Sequence, residues 1–179
     1  MSKENNILSC LKENQNIIVV CKGIGHTKAM IDFHKEISKN FKKICMLTIN
    51  EPSSNLIQKF QKANMDYSNY FFIDCISAKE TRVEDSKQFL YVSSPSALTE
   101  LALAMGKIRE EVDLMILDNI SSLLIYNNPV VMQKFLHSIM TKIRQTNTKA
   151  LYFILEEDKK LVDVLSLFAD AVIDEDLSK

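Results

Sequence analysis

The sequence has 179 residues, of which 46% are hydrophobic and 25% are charged, values ordinary for a globular chain in water. Its 22 basic and 23 acidic residues nearly cancel, so net charge gives no signal for nucleic acid or an anionic membrane as a partner. No apolar run approaches the roughly 18 residues that suggest a membrane span. These values predict one domain over residues 1–179 with a sizeable core.

The chain shows no sign of disulfide chemistry or of a leader peptide. Its four cysteines, Cys10, Cys21, Cys45 and Cys75, form no C-x-x-C pair, and the last three lie in or beside apolar runs. The polar start at 1–6 is followed by no signal-peptide hydrophobic segment. We therefore predict free thiols and a reducing, cytoplasmic location.

Strand and helix patterns alternate along the chain. After a short lead-in helix within residues 1–15 come uniformly apolar strand patterns, at 17–21, 44–49, 70–74, 89–92, 113–118, 150–155 and 171–173. Amphipathic helical patterns fill the intervals, beginning after Thr27, Pro52, Ser96 and Asn128 and over 161–168. Because the strands lack polar alternation, they predict a three-layer α/β/α fold with a mainly parallel central sheet.

Three further predictions concern one loop, two histidines and one valine. The polar segment at 77–88 is predicted to be a surface loop. His34 and His137 lie in helical patterns, where they are expected at the surface or boundary of a helix. Val131 is expected in the inner stripe of the helix that begins after Asn128.

The glycines point to the stretch at 16–28. Two of the three glycines of the chain lie there, between the first strand and the next helix, an order typical of a phosphate cradle. The Walker pattern G-x-x-x-x-G-K-[ST] is met only in part. Gly25 and Thr27 match it, whereas His26 stands in place of the lysine and Val20 in place of the first glycine.

Polar side chains follow several of the predicted strands. In an open parallel sheet, sites form where the carboxyl ends of the strands meet. We therefore expect the 23–27 loop, Glu51, Asp74 and Asp118 at one edge of the sheet. An acidic residue that ends an apolar strand, as Asp118 does, is what a Mg²⁺ site beside a phosphate loop requires.

Three segments resemble the RecA/KaiC-like branch of P-loop ATPases, especially its degenerate archaeal relatives. The segment 23–27 is similar to the G-x-G-K-T motif of that family, with histidine in place of lysine. The segment 48–52 resembles the part after a strand where a pair of glutamates includes the catalytic one, of which only Glu51 is present here. The segment 114–123 resembles the Walker-B strand with the residues after it. The resemblance covers roughly residues 15–175 and implies a RecA-like fold.

The resemblance also implies roles for individual residues. It implies nucleotide binding by Gly23, Gly25, His26, Thr27 and Asp118, a catalytic role for Glu51 and, if ATP binds, a Mg²⁺ ion held by Thr27 and Asp118. The missing lysine is a permanent charge on the phosphates, whereas an unperturbed histidine, with a pKa of about 6.5, is mostly neutral at pH 7. Losing such a charge weakens stabilisation where negative charge develops.

We therefore predict a catalytically degenerate RecA/KaiC-like protein with a regulatory or scaffolding role and weak or no nucleotide binding. Two other functions stay open: an ATP-binding protein or ATPase with a variant loop, and a sensor of a small molecule or anion without Mg²⁺ chemistry. Simpler roles stay open too. Gly23 and Gly25 would then only permit a tight turn, His26 would be a surface residue, Asp118 would cap a turn, and Glu51 would begin a solvated helix.

We expect a protein as the partner. RecA-like domains usually act as assemblies, which the resemblance implies, and a net charge near zero gives little repulsion between copies. The simplest expectation is a two-fold homodimer. Its contact is predicted at the apolar residues 123–126, which otherwise belong to the core.

Overall fold

The computed structural model describes residues 6–22, 28–77 and 86–176. Strands and helices alternate through these ranges much as the apolar patterns predict. In chain order the elements are α1 (Asn6–Glu13), β1 (Asn16–Cys21), α2 (Lys28–Asn40), β2 (Ile44–Thr48), α3 (Ser53–Lys62), β3 (Tyr70–Asp74), β4 (Phe89–Tyr91), α4 (Leu98–Ile108), β5 (Leu114–Asp118), α5 (Ile120–Tyr126), α6 (Pro129–Ile143), β6 (Lys149–Leu155), a 3₁₀ turn (Glu156–Asp158), α7 (Lys159–Leu165) and β7 (Ala171–Glu175).

The seven strands form one sheet in the order β4-β3-β2-β5-β6-β1-β7, and every neighbouring pair is parallel. The first strand lies between two late strands, since Asn16 pairs with Ala150 and Ile17 pairs with Ala171. The strand β2 lies between β3 and β5. All carboxyl ends therefore point to one edge of the sheet, called the carboxyl edge below.

Alternate residues of the strands pack into two separate apolar clusters, one on each face of the sheet. In β1, Ile18 and Val20 pack with the cluster that α4, α5, α6 and α7 cover. Ile17 and Val19 pack with the cluster that α1, α2 and α3 cover. This arrangement explains why the strands carry no polar face, and it confirms the predicted three-layer α/β/α fold.

His34 is not at a helix surface, as the sequence suggested, but inside the second cluster. It is fully buried, and its Nδ1 lies 3.0 Å from the hydroxyl of Tyr70. Its ring also meets the edge of Phe60, with ring centroids 5.1 Å apart. The expectation failed because a histidine with a buried hydrogen-bond partner can occupy an aromatic core position.

The apolar residues around α5 and α6 also differ from expectation. Val131, predicted to face inward, is 49% exposed, because the inner stripe of α6 instead includes Met132. Leu123, within the predicted dimer contact, is fully buried. Ile125 is 79% exposed and Tyr126 is 46% exposed, so the end of α5 does leave apolar surface in water.

The helix α4 begins later than its serine-rich lead-in suggested. No side chain caps its first turn, and the hydroxyl groups of Ser94 and Ser96 lie 2.8 Å from each other instead. Glu100, in the first turn, accepts hydrogen bonds from the backbone and side chain of Ser93. By contrast, α6 begins directly after Asn128, as predicted, and the Asn128 side chain caps it by accepting a hydrogen bond from Val130 N–H at 2.9 Å. Most of the predicted 77–88 loop lies outside the described residues.

All four cysteines are free thiols, as predicted. Cys10 is partly exposed, and the other three are buried. Burial, chiefly, raises the pKa of Cys21 to about 12 and that of Cys75 to about 12. These thiols therefore stay protonated near neutral pH and act as small apolar groups.

The longest helix among the described residues, α6, has 15 residues. A membrane-crossing helix needs about 20 predominantly apolar residues. None of the helices in the described ranges is long and apolar enough to cross a membrane.

Candidate functional site

The carboxyl edge of the sheet carries a cleft of about 240 Å³. Its lining comes mainly from β2, from the residues after it, and from the end of β5; the lining residues are Met46, Thr48, Ile49, Asn50, Glu51, Leu56 and Asp118. Because the strands are parallel, Thr48 and Asp118 are direct neighbours in the sheet. The structure thus brings Glu51 and Asp118 together in one cleft, the arrangement that strand direction predicted.

Gly23, Gly25, His26 and Thr27 lie outside the described residues. The strand before them, β1, ends at Cys21 on the same edge of the sheet. The negative charge of Asp118 contributes to the raised pKa of the Cys21 thiol, after the larger effect of burial. The end of β1 therefore lies within electrostatic reach of the cleft.

Asp118 is a buried carboxylate with an incomplete set of hydrogen bonds. It is 6% exposed, and its Oδ1 has no hydrogen-bond partner within the described part of the chain. The pKa of Asp118 is raised to about 7, chiefly by burial and then by the nearby negative charge of Glu51, while Lys59 partly opposes both. A carboxyl group in this state readily takes a hydrogen-bond donor or a positive charge.

Two further polar atoms beside Asp118 are also unsatisfied. Thr48 is 3% exposed and Asn119 is 4% exposed. Within the described ranges, Thr48 Oγ1 and Asn119 Oδ1 lack hydrogen-bond partners. The peptide bond between Asp118 and Asn119 is cis. Nearly all buried polar atoms in folded proteins are paired, so three unpaired atoms on adjacent residues mark this edge as a place where a ligand can bind.

Glu51, by contrast, is held by an ion pair. The ammonium group of Lys59 on α3 lies 2.9 Å from Oε1 and 2.8 Å from Oε2 of Glu51. The pair is partly shielded from water, with the Lys59 side chain 34% exposed and that of Glu51 19% exposed. A carboxylate that faces an ammonium with both oxygens has much of its charge offset, which weakens it as a base for activating water.

Asp74 lies at the same edge, but its role is structural. Its Oδ2 accepts from Ser53 N–H at 2.7 Å and from the Ser77 hydroxyl at 2.8 Å. Its Oδ1 accepts from the backbone N–H groups of Ile76 and Ser77 at 2.8 and 2.9 Å. Because Ser53 begins α3, Asp74 ties the end of β3 to the helix that carries Lys59, and it leaves little capacity for a ligand.

The sequence interpretation missed Lys59 and the unsatisfied hydroxyl of Thr48. Lys59 follows Glu51 by eight residues, which is not the three- or four-residue spacing that signals a pair on one helix. Glu51 lies before the helix and Lys59 lies within it, so only the fold brings the two together. For Thr48, a buried hydroxyl at the end of a strand gives no sequence signal of its own.

Two described residues have side-chain oxygens of the kind that a magnesium site would need. Among them, no three His, Cys, Asp or Glu side chains are grouped so as to hold a metal ion. Asp118 and Thr48 do provide a carboxylate and a hydroxyl, oxygen ligands of the kind that Mg²⁺ takes. These two fit a Mg²⁺ ion whose other ligands come from nucleotide and water.

Comparisons with known proteins support the fold. No protein-family model matches the chain, and no curated protein matches its sequence. Among solved structures, the chain is similar to a KaiC-like protein from the hyperthermophilic archaeon Pyrococcus horikoshii. The match has a TM-score of 0.61 and 12% identity, and it covers 91% of this chain and 73% of that protein. The chain therefore has a RecA-like fold, shared with this KaiC-like protein.

Proposed function

We propose that this chain is a catalytically degenerate RecA/KaiC-like protein that works as a regulatory or scaffolding module, with weak or no nucleotide binding. The observation that carries the proposal is the pair between Glu51 and Lys59, whose ammonium faces both carboxylate oxygens at 2.8 to 2.9 Å. In the resembled family this segment carries a pair of glutamates that includes the catalytic one, and only Glu51 remains of that pair here. Here the carboxylate is committed to an ion pair.

The sequence adds independent support. His26 replaces the lysine that would carry a permanent charge on the phosphates, and the first glycine of the Walker pattern is replaced by Val20. Both parts that would act on a γ-phosphate, the loop lysine and the glutamate, are therefore altered. Losing either one alone weakens phosphoryl transfer strongly.

The first test measures ATP binding and turnover together. ATP is titrated into the protein with and without Mg²⁺, and phosphate release is followed at saturating ATP. We expect weak or no Mg²⁺-dependent binding and no steady phosphate release. His26→Lys is expected to strengthen ATP binding without restoring turnover, because Glu51 remains paired with Lys59.

One outcome of this test would contradict the proposal. Steady Mg²⁺-dependent phosphate release by the unaltered chain, lost in Glu51→Gln and kept in Glu110→Gln, would overturn the proposal. Glu110 is the matched control because it is an exposed glutamate on the chain after α4, where it forms an ion pair with the adjacent Arg109.

The alternative function is an ATP-binding protein or ATPase with a variant loop. The buried Asp118 supports it, because one of its oxygens has no partner among the described residues and Asp118 is the sheet neighbour of Thr48. If ATP binds, we propose that Thr27 and Asp118 hold Mg²⁺, which would neutralise charge on the phosphates. The same titration separates the two functions, because Mg²⁺-dependent saturation favours the alternative.

For the oligomeric state we propose a two-fold homodimer. The support is the apolar surface at the end of α5 and the start of α6, where Ile125 is 79% exposed and Val130 is 56% exposed. Light scattering over a range of protein concentrations tests it. A monomeric mass at every concentration would remove the dimer.

A further inference from the structure

Two buried side chains that line the cleft at the carboxyl edge have oxygens without hydrogen-bond partners among the described residues. Asp118 and Thr48 both line it, both are more than nine-tenths buried, and each keeps an oxygen with no partner within the described ranges. A buried acceptor without a donor costs free energy, and a ligand that brings a donor recovers that cost. The Asp118 carboxylate therefore needs a donor, and the Thr48 hydroxyl is able to accept a hydrogen bond from the same ligand.

The charges of the cleft favour a positive ligand. Among the described residues, Glu51 and Lys59 are the charged groups that act on the Asp118 carboxyl. Lys59 is already paired with Glu51 at 2.8 Å. When Asp118 is ionised, two carboxylates thus face one ammonium, and among the described residues the cleft keeps one negative charge in excess. An anionic group placed against Asp118 would be repelled.

The shape of the cleft sets the size of that ligand. Its volume of about 240 Å³ is below the roughly 300 Å³ at which small-molecule pockets usually begin. Beside the polar atoms it is lined by Met46, Ile49 and Leu56. These three residues, called the apolar wall below, lie with the polar groups around one small space, which suits a charged head on an aliphatic stem.

We infer that this cleft receives an arginine side chain of a partner protein, whose guanidinium donates to the Asp118 carboxylate and the Thr48 hydroxyl while its methylene groups pack on the apolar wall. The inference rests on the proposed function, for which it names the chemistry by which the partner is recognised. Arginine fits better than lysine, because its planar head offers five donors to several acceptors at once.

The test uses two small probes of nearly identical shape. Nα-acetyl-arginine methylamide carries the guanidinium, and Nα-acetyl-citrulline methylamide carries a neutral urea in its place. Each is titrated into ¹⁵N-labelled full-length chain, and the backbone amide signals of Thr48, Asn50 and Glu51 are followed by NMR. We expect saturable shifts with the arginine probe and at least tenfold weaker binding of the citrulline probe.

Two variants locate the binding. Asp118→Asn removes the carboxylate and is expected to weaken the arginine probe at least tenfold. Asp163→Asn removes one charge from an exposed position on α7 and is expected to leave the affinity unchanged. The amide spectrum of each variant, compared with that of the unaltered chain, shows whether the fold is retained.

The outcomes separate this inference from the proposed function. Equal binding of both probes, no binding of either, or an affinity unaffected by Asp118→Asn overturns the inference and leaves the proposed function standing. Mg²⁺-dependent ATP binding at the same amide signals, without any response to the arginine probe, overturns both. An arginine-specific response that Asp118→Asn removes supports the inference.

Discussion

Two aspartates flank the same residue of the sheet and behave in opposite ways. Asp74 on β3 and Asp118 on β5 both pair in register with Thr48 on β2, one from each side. Both end apolar parallel strands, and both are buried. Asp74 accepts four hydrogen bonds, whereas Asp118 Oδ1 accepts none within the described part of the chain.

The difference comes from the backbone that leaves each strand. After Asp74 the chain turns back, so that Ile76 and Ser77 point their N–H groups at the carboxylate. After Asp118 the chain enters α5, where Ser121 accepts a hydrogen bond from Leu155 instead. Burial alone would raise the pKa of Asp74, but these hydrogen bonds outweigh it and hold the pKa below its usual value. The pKa of Asp118 moves the other way, to about 7.

The contrast teaches how to separate two roles that look alike in sequence. A strand-end aspartate whose oxygens are all occupied holds the fold together. A strand-end aspartate that is buried with an oxygen lacking a partner lowers stability, and it is a candidate for a binding site.

The largest expected effect is that of Asp74→Ala. The substitution leaves the donors of Ser53, Ile76 and Ser77, which are buried or partly buried, without their acceptor. We therefore expect the free energy of unfolding to fall by about 3–4 kcal/mol in urea titrations. Asp113→Ala is the matched control, because Asp113 also accepts two backbone N–H bonds, from Lys42 and Lys43, but at an exposed position. It should cost about 1 kcal/mol. Equal losses of unfolding free energy in the two variants would show that the buried hydrogen bonds of Asp74 contribute no more than the exposed ones of Asp113.

Asp118→Asn is expected to act in the opposite direction. The pKa of Asp118 lies near 7 in the folded chain and about 4 in the unfolded chain, so its contribution to stability falls as the pH rises from 4 to 7 and is constant above. The asparagine removes this loss, and we expect a gain of about 1–2 kcal/mol at pH 8 that vanishes near pH 4.

Urea unfolding of both proteins at several pH values measures this gain. For Asp74 the sign is reversed, because its pKa is lowered on folding. The stability it provides is present above pH 4 and is lost as the pH falls below about 4. A destabilised Asp118→Asn at pH 8 would mean that Asp118 is held by the fold as Asp74 is.

The smallest expected effect is that of Lys59→Met. It breaks the pair with Glu51, and because the pair is partly exposed, we expect a loss of about 0.5–1 kcal/mol at pH 8. It also removes the charge that opposes the raised pKa of Asp118, so that pKa should rise further. Lys62→Met, at an exposed position in the last turn of α3, is the control and should change little. If the two variants have the same stability and the same pKa of Asp118, the ion pair does not affect Asp118.

The fold could be predicted because its signal is local. Uniformly apolar strands separated by amphipathic helices leave few arrangements other than a parallel sheet between two helical layers. The position of β6 between β1 and β5 could not be predicted, since strand order depends on contacts between distant segments. His34 shows a different limit. Its helical pattern was interpreted as the surface or boundary of α2, and only the position of Tyr70 shows that the core offers a hydrogen-bond partner to its Nδ1.

The candidate site was predicted in part. Strand direction was enough to place Glu51 and Asp118 at one edge, and the structure gives them a shared cleft. It was not enough to tell Asp74 from Asp118, because the donors that differ come from the backbone after each strand. The nucleotide-binding and metal-binding roles of Gly23, Gly25, His26, Thr27 and Asp118 stay predictions, and the first four of these residues lie outside the described ranges.

The place of β1 in the sheet has a consequence for synthesis on the ribosome. The strands β2, β3, β4 and β5 are contiguous in both sheet and sequence, so they can pair while the chain is still growing. The strand β1 cannot, because both of its neighbours, β6 and β7, are made last. At about 5–20 residues per second, Asn16 waits on the order of ten seconds for Ala150 to emerge. During that interval an apolar strand is without its partners, and we expect the nascent chain to depend on chaperones most strongly then.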